Sequence, residues 1–170
     1  MPIQRLNHAV LFVSELDRSV DFYTRILGFR VVHMIPGQAA FLQAEASTND
    51  HDLGLFAMGI HAQASTAGRA TVGLYHLAWE VDTLAELQRI AQALQEVEAL
   101  VGASNHGTTK ALYAKDPDGL EFEVSWLVPA HLIDDATATM ITERLDLDAE
   151  ITRYGEHTPG GVGVSHRAMP

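Results

Sequence analysis

The 170-residue sequence contains no cysteine. Disulfide bonds and thiolate metal sites are therefore excluded, and any bound metal must be held by histidine, aspartate or glutamate. Basic residues are also few, since 11 lysines and arginines stand against 22 acidic residues and the formal net charge is -11. The chain lacks the basic surface that phosphate binding needs, so we expect no nucleic-acid partner.

The N-terminal segment lacks the features of a targeting or membrane-spanning sequence. RLNHAVLFV is too short and too mixed in polarity for a signal peptide or a membrane span, and an amphipathic segment follows it directly. We therefore predict a cytoplasmic protein with no membrane partner. With 47% hydrophobic and 19% charged residues, the composition is typical of a globular chain with one core, or with two small units around a shared core.

An internal repeat with an offset of 68 residues organises the sequence. The segment at 6–20, LNHAVLFVSELDRSV, aligns with the segment at 74–88, LYHLAWEVDTLAELQ, and this alignment pairs His8 with His76. Each copy reads as a strand followed by an amphipathic helix. The repeat therefore predicts two equivalent strand–helix units.

Each predicted helix begins with a capping-box pattern. Ser14 precedes Asp17 by three residues in the first copy, and Thr83 precedes Glu86 in the second. In this pattern the hydroxyl accepts a hydrogen bond from a backbone N–H of the first turn. We expect both hydroxyls to cap their helices.

Three short β-like runs follow each helix, so the order strand, helix, three strands occurs twice. We predict an α+β fold with two tandem βαβββ modules, at 4–58 and 73–128, in a single domain at 1–128. Residues 129–170 are predicted to add one C-terminal helix, over DDATATMITERLDLDAEITRYG, and a flexible tail.

The last predicted strand carries two acids on one face. In DPDGLEFEV, strand alternation places Leu120 and Phe122 on one side and Glu121 and Glu123 on the other. Carboxylates on one face usually meet solvent, but they can also line a polar cavity. Glu121 fits a solvated or supporting role better than metal ligation.

The repeat suggests a metal site. A single histidine near the start of an apolar strand is more often a packed residue, but two copies related by a pseudo-twofold axis would bring His8 and His76 to a common centre. With Glu123 they supply two nitrogen ligands and one carboxylate. Non-haem Fe(II) oxygenases use this ligand set, and Mn(II) can also occupy it.

These features together resemble the vicinal oxygen chelate superfamily, which includes glyoxalases, extradiol dioxygenases and bleomycin-resistance proteins. The resemblance covers about residues 4–128 and rests on the doubled module, the two histidines in register and the glutamate after DPDG. It implies a curved mixed sheet around a metal-containing cavity. Within the superfamily the chain looks most like the small single-domain extradiol catechol dioxygenases.

Glyoxalases of this superfamily carry a fourth ligand, a carboxylate or similar group on the last strand of copy one. Subtracting the repeat offset from Glu123 points to Leu55, and no acid stands at that place. Because gap lengths between the copies can differ, His51 and Asp52 stay open as further ligands. Three ligands fit better than four, and they leave room for a chelating substrate and dioxygen.

Three further residues resemble the extradiol dioxygenase pattern. His51 corresponds to an acid/base histidine over the dioxygen site, His106 to a substrate-binding histidine, and Tyr113 to a tyrosine ten residues before the carboxylate ligand. Each alone is equally consistent with a loop histidine, a turn residue or a packed aromatic. The resemblance implies an Fe(II)-dependent extradiol ring-cleavage dioxygenase that acts on a catechol-type diol in aromatic catabolism.

Two other functions stay open. A glyoxalase-type isomerase or lyase would keep the metal residues and need another ligand from copy one. A non-enzymatic drug-binding resistance protein would typically lack the metal residues. Apolar positions in the predicted C-terminal helix need covering, either across a dimer or higher oligomer or by the chain's own sheet.

Overall fold

The structure is a computed structural model that describes residues 2–3, 5–67, 70–139, 141–161 and 164. The chain divides into two units. Unit 1 comprises Met1–Ser65 and the short Asp116–Gly119 turn. Unit 2 comprises Thr66–Lys115 and Leu120–Pro170.

Unit 1 contains one helix and a four-stranded sheet. In chain order its elements are β1 (Ala9–Val13), α1 (Leu16–Arg25), β2 (Arg30–Ile35), β3 (Ala39–Gln43) and β4 (Leu53–Ala57). The strands lie in the order β1-β4-β3-β2, with β1 and β4 parallel and the other pairs antiparallel. The apolar stripe of α1 covers one face of this sheet and buries Leu16, Phe22 and Tyr23.

Unit 2 repeats this plan and extends it. Its elements are β5 (Leu77–Glu80), α2 (Leu84–Glu96), β6 (Leu100–Asn105), β7 (Thr109–Lys115), β8 (Glu121–Leu127), a 3-10 turn (Ala130–Leu132), α3 (Asp135–Ala138), β9 (Glu143–Arg144) and α4 (Leu147–Tyr154). The strand order is β5-β8-β7-β6-β9. Strands β5 and β8 are parallel, as β1 and β4 are in unit 1.

The predicted α+β class and the two βαβββ modules are confirmed. In each unit the strand before the helix pairs in parallel with the last strand of the module, and the two middle strands follow antiparallel. The strands form two sheets, one in each unit. Helix α2 shows why the pattern predicts this fold, because Leu84, Leu87, Ile90 and Leu94 recur at helical spacing and are all buried.

The capping prediction is confirmed for one helix and wrong for the other. The Thr83 hydroxyl accepts from the backbone N–H of Glu86 at 3.2 Å, as expected for α2. In α1 the cap residue is Glu15, which makes no side-chain cap bond. Ser14 instead donates its N–H and its hydroxyl to the Asp118 carboxylate, at 3.0 and 2.5 Å. An acid from the DPDG turn thus holds the start of α1, where negative charge is favoured.

The predicted C-terminal helix is present as α4, but the segment over which one helix was predicted is interrupted. Two aspartates start two separate helices, because Asp134 accepts from the Thr137 N–H at 2.7 Å and Asp146 accepts from the Ala149 N–H at 3.0 Å. Between them β9 pairs with Ser104 and Asn105 of β6. Residue 140 of the predicted helix and residues 162–163 and 165–170 of the predicted tail lie outside the described part of the chain.

Among the described residues, no helix is both long and apolar enough to cross a membrane.

Candidate functional site

Unit 2 gathers three of the predicted site residues on one face of its sheet. Glu123 of β8 pairs with Tyr113 of β7 and with Ala78 of β5. His76 stands two residues before Ala78, so strand alternation directs it to the same face. The side chains of His76 and Glu123 are 26% and 13% exposed, which leaves both accessible to a small ligand.

The spacing of His76 and Glu123 fits neighbouring ligands of one metal ion. Nε2 of His76 lies 3.3 Å from Oε2 of Glu123. Two ligand atoms bound at right angles, each about 2.1 Å from a metal, lie about 3 Å apart. Nδ1 of His76 is buried and has no hydrogen-bond partner in the described part of the chain. The contact with Glu123 therefore orients the ring, and a cation between the two groups would replace it.

Tyr113 is held as a hydrogen-bond donor. Burial, the charge of Glu123 and a hydrogen bond to that carboxylate raise the pKa of the Tyr113 phenol to about 12. The phenol therefore stays protonated through the physiological range. Its oxygen lies 3.0 Å from Nε2 of His106, so these two predicted site residues are also in contact.

His106 has partners on both ring nitrogens. Its Nδ1 lies 3.2 Å from the backbone carbonyl of Ile141 and 3.3 Å from the hydroxyl of Thr142. Both partners belong to the C-terminal segment. Sequence reasoning missed them, because a backbone carbonyl leaves no side-chain pattern and these residues are 35 and 36 positions from His106.

Unit 1 brings together the other two predicted histidines. The rings of His8 and His51 lie 4.4 Å apart between centroids, with a 34° tilt. Nδ1 of His8 donates to the side-chain oxygen of Asn7 at 2.7 Å, and Nε2 makes no hydrogen bond to any residue that the structure describes. Nδ1 of His51 lies 3.1 Å from Oδ2 of Asp50. His8 is thus prepared for ligation through Nε2, with a second histidine against it.

Asp52 is already used by the loop before β4. Its carboxylate accepts from the backbone N–H of Ala44 at 2.8 Å, from the Ser47 hydroxyl at 2.7 Å and from the Asn49 amide at 2.7 Å. These bonds fix the loop that leads to His51. They give Asp52 a structural role in this loop.

The strand register corrects the residue that corresponds to Glu123 in copy one. Ala9 follows His8 and pairs with Leu53, whereas Leu77 follows His76 and pairs with Phe122. The residue after Leu53 is Gly54, so Gly54, and not Leu55 as the simple offset predicts, corresponds to Glu123. The offset fails here because copy two has one more residue between its first and last strands. Neither residue can supply a carboxylate.

Glu121 is on the same face as Glu123, but it has a cation of its own. Its Oε1 lies 3.8 Å from the ammonium of Lys115 on β7. Both side chains are substantially exposed. This agrees with the predicted solvated or supporting role and means that the second acid adds little uncompensated charge.

The predicted metal ligands are divided between the units, with His8 in unit 1 and His76 and Glu123 in unit 2. Among the described residues, no group of three or more His, Asp or Glu side chains is arranged as a ready-made metal cluster. Joint ligation of one metal by all three residues stays a prediction.

Comparison with known proteins places this geometry in a family. A family model described as the Glyoxalase/Bleomycin resistance protein/Dioxygenase superfamily matches residues 5–124. The chain belongs to this superfamily. The match ends before the 3-10 turn, α3, β9 and α4, so these elements lie outside the matched region.

The similar curated proteins fall into two groups by name. The chain is 29% identical over 119 residues to a catechol-2,3-dioxygenase of Bacillus subtilis. The alignment covers 70% of this chain and 40% of that dioxygenase. It is 30% identical over 128 residues to a lactoylglutathione lyase of Escherichia coli O157:H7. That alignment covers 71% of this chain and 90% of the lyase. The chain therefore matches less than half the length of that dioxygenase and nearly all of that lyase.

Solved structures share the fold. A glyoxylase/bleomycin resistance protein/dioxygenase domain from Frankia sp. EAN1pec superposes with a TM-score of 0.62 at 20% identity, over 73% of this chain and 92% of that chain. A lactoylglutathione lyase from Agrobacterium tumefaciens gives a TM-score of 0.55 at 22% identity, over 74% of this chain and 95% of that chain. At these identities the likeness concerns the fold alone.

Proposed function

We propose that this protein is an Fe(II)-dependent extradiol dioxygenase that cleaves the ring of a catechol-type diol. The observation that carries the proposal is Gly54, which stands in copy one where Glu123 stands in copy two. A glyoxalase-type site needs a ligating side chain there, and glycine has none. A site with three protein ligands keeps coordination positions for both oxygens of a diol and for dioxygen.

His8, His76 and Glu123 would hold the metal, and Mn(II) would use the same set. The bound metal supplies positive charge that favours the ionised form of a coordinated hydroxyl, and a path for electrons between substrate and dioxygen. The geometry of the donors fits this task. Nδ1 of His8 is engaged by Asn7, and its Nε2 has no hydrogen-bond partner within the described part of the chain. His76 and Glu123 stand at the separation of adjacent ligands.

Tyr113 and His106 would bind and orient the substrate. The Tyr113 phenol stays protonated and can donate to an oxygen of the diol. His106 is in contact with the Tyr113 hydroxyl at 3.0 Å, so both polar groups are fixed relative to Glu123. Fixed donors of this kind lower the entropic cost of bringing a substrate into reacting geometry.

His51 would move protons during ring cleavage. Its ring stacks against His8 and also packs edge-on against Phe41, with 5.2 Å between centroids. The side chain is only 15% exposed, which limits the access of bulk water. A histidine held in this way beside a ligand is suited to general acid–base catalysis near neutral pH.

A glyoxalase-type lyase is the second candidate, because the lactoylglutathione lyase relatives match over nearly their full length. In that case a residue outside β4 must complete the ligand set. The two chemistries differ in oxygen demand, since ring cleavage consumes dioxygen and isomerisation consumes none.

The test is an oxygen-uptake assay on protein loaded anaerobically with Fe(II). A panel of catechols should give oxygen uptake equal to substrate loss and a yellow product whose ring is opened beside the two hydroxyls. The same protein loaded with Ni(II) or Zn(II) should not isomerise the hemithioacetal of methylglyoxal and glutathione. Isomerisation without oxygen uptake would replace the dioxygenase proposal with the lyase.

A further inference from the structure

The loop that joins β3 to β4 carries His51 and lies against the segment that carries His8. We call this loop, residues 44–52, the brace, and residues 5–8 the His8 segment. The His8 segment precedes β1 and all four of its residues are exposed. Because the strand ladder does not include this segment, the position of His8 depends on contacts between the segment and the brace.

Contacts to the brace lie on both sides of His8. Asn49 donates from its side-chain amide to the carbonyl oxygen of Asn7 at 2.7 Å, across 42 positions of the sequence. Ala9 donates its N–H to the carbonyl oxygen of Asp52 at 2.9 Å. The residue before His8 and the residue after it are thus bound to one loop.

The orientation of the Asn49 amide follows from its partners. Its Nδ2 lies 2.7 Å from the Asn7 carbonyl oxygen and also 2.7 Å from Oδ1 of Asp52. A backbone carbonyl and a carboxylate can only accept hydrogen bonds, so the group that faces both must be the NH2 and not the amide oxygen. One N–H is then used inside the brace and the other on the His8 segment. A single side chain joins the two.

The brace is fixed from within. Besides holding Asn49, the Asp52 carboxylate accepts from the N–H of Ala44 at 2.8 Å and from the hydroxyl of Ser47 at 2.7 Å. The Ser47 hydroxyl accepts in turn from the N–H of Asn49 at 3.1 Å, and the Gln43 amide donates to the carbonyl of Asn49. A loop whose polar groups are paired in this way presents the Asn49 amide in a defined position.

The same loop positions the second imidazole. His51 directly precedes Asp52 in the brace, and its ring packs edge-on against Phe41, with 5.2 Å between centroids. The brace thus holds His51 through its own backbone and His8 through Asn49. The two rings meet with 4.4 Å between centroids.

We propose that Asn49 is a positioning residue, which holds the His8 segment against the brace and so fixes the place of His8 beside His51. The importance of this placement for catalysis rests on the proposed function, because His8 is there a metal ligand and His51 the group that moves protons. The contact of Asn49 with Asn7 and its effect on the His8 segment do not rest on it.

Amide hydrogen exchange of the full-length, metal-free protein tests this role at the N–H of Ala9, the residue after His8. The exchange rate of an amide that opens locally reports the ratio of its open to its closed form. Asn49→Ala should raise the Ala9 rate by about fivefold, the loss of one ordinary hydrogen bond. The nuclear Overhauser effect between the rings of His8 and His51 should weaken in the same variant. An unchanged Ala9 rate would overturn the proposal.

Two further variants separate the Asn49 contact from the stability of the loop. Ser47→Ala is the matched control, because it also removes two side-chain hydrogen bonds of the brace but none to the His8 segment. It should raise the Ala9 rate less than Asn49→Ala does. Equal rates in these two variants would show that the integrity of the loop alone holds the His8 segment, and the role of Asn49 would fall.

Asn49→Asp keeps the shape of the side chain but replaces the NH2 by an acceptor and places a second carboxylate beside Asp52. It should therefore raise the Ala9 rate at least as much as Asn49→Ala. A rate equal to that of the wild type would contradict donation by the Asn49 amide.

Activity measurements distinguish this inference from the proposed function. If the wild type consumes oxygen with catechols, Asn49→Ala at saturating Fe(II) should lower kcat by up to about fivefold and leave KM near wild type, because the proposed substrate contacts of His106 and Tyr113 lie in unit 2. A raised KM with unchanged kcat would overturn the positioning role. If the wild type has no such activity, the dioxygenase proposal fails, and the Ala9 rates still decide whether Asn49 holds the His8 segment.

Discussion

Nε2 of His76 and Oε2 of Glu123 lie 3.3 Å apart on one face of the unit 2 sheet, brought there by the parallel pairing of β5 with β8. A buried or half-buried carboxylate needs a partner for its charge. Here the partner is an imidazole, and a cation bound between the two groups would replace the hydrogen that Nε2 shares with the carboxylate. This pair provides two of the three proposed metal ligands, both from unit 2.

Removal of either member of this pair should abolish Fe(II) binding. We expect His76→Ala, Glu123→Ala and His8→Ala each to lose the metal, because three ligands are the minimum of the proposed set. The measurement is elemental analysis after anaerobic Fe(II) loading and desalting. Glu121→Gln is the matched control, since Glu121 is on the same face, pairs with Lys115 and should leave the metal content unchanged. Full iron retention in the three alanine variants would show that other residues hold it.

A carboxylate introduced at Gly54 should convert the site toward a four-ligand one. A Cβ at Gly54 would meet Val10 at 3.4 Å and Phe56 at 3.5 Å, which is ordinary or slightly tight contact, so a Cβ is tolerated there. We expect Gly54→Glu to bind Fe(II) more tightly and to lose ring cleavage. Gly54→Ala should keep both properties near wild type. Undiminished ring cleavage in Gly54→Glu would mean that position 54 does not face the metal.

His51→Ala should keep the metal and lose turnover. His51 stacks on His8 but has its own partner in Asp50, so its removal leaves the proposed ligands in place. Loss of a general acid–base group typically lowers kcat by about 100- to 10,000-fold. His33→Ala, on the exposed strand β2, serves as the control and should retain turnover. A drop in iron content for His51→Ala would make His51 a ligand instead.

The periodic parts of this fold were accessible from the sequence, and the long-range contacts were not. The paired positions of His8 and His76 and the stripe of Leu84, Leu87 and Ile90 follow from local spacing, so the two modules could be predicted. The contact at the start of α1 could not be predicted from local spacing, because Asp118 and Ser14 are 104 residues apart in the sequence. The contact of Ile141 with His106 could not either, since it uses a backbone carbonyl.

The position of Gly54 shows a related limit. An offset taken from the first strands points one residue too far, because the two copies differ in length between their first and last strands. Side-chain alternation turns one residue of error into the opposite face of a sheet. Only the hydrogen-bonded register of β1 and β4 shows that Gly54, and not Leu55, corresponds to Glu123.

The buried pair of Lys110 and Glu150 should be sensitive to removal of one member. Lys110 is 1% exposed, its ammonium lies 3.1 Å from Glu150 and 2.7 Å from the Asn105 oxygen, and burial lowers its pKa. Lys110→Ala should destabilise the fold by about 3–5 kcal/mol, because it leaves a carboxylate buried without its partner. Urea unfolding measures the change.

The double variant Lys110→Met/Glu150→Leu is the informative comparison. Replacement of both charges by apolar groups of similar size is often neutral or stabilising. We expect the double variant to recover most of the loss. A double variant as unstable as Lys110→Ala would indicate that the charges themselves, through Asn105, organise the turn before His106.

The Tyr113 phenol should ionise at a higher pH than an ordinary tyrosine in the metal-free protein. Its pKa is raised from 10.0 to about 12, first by burial and then by Glu123. The Tyr113 phenol releases its proton at a lower pH in the unfolded chain than in the folded protein. Its contribution to the free energy of unfolding is therefore complete below pH 10 and is lost as the pH rises toward 12. Ultraviolet difference titration should show a phenolate step near pH 12 that is missing in Tyr113→Phe. A step from Tyr113 near pH 10 would contradict the contact with Glu123.

The turn Asp116–Gly119 lies in the second half of the sequence but belongs to unit 1. Through it, Asp118 binds Ser14 and Arg18, and Asp116 accepts from the buried Tyr23 hydroxyl at 3.1 Å. A chain cut between the repeats would deprive the first half of these acids and leave a phenol without its acceptor. A fragment that ends between the repeats therefore lacks part of the first unit, so a split of this protein must keep Asp116–Gly119 together with Met1–Ser65.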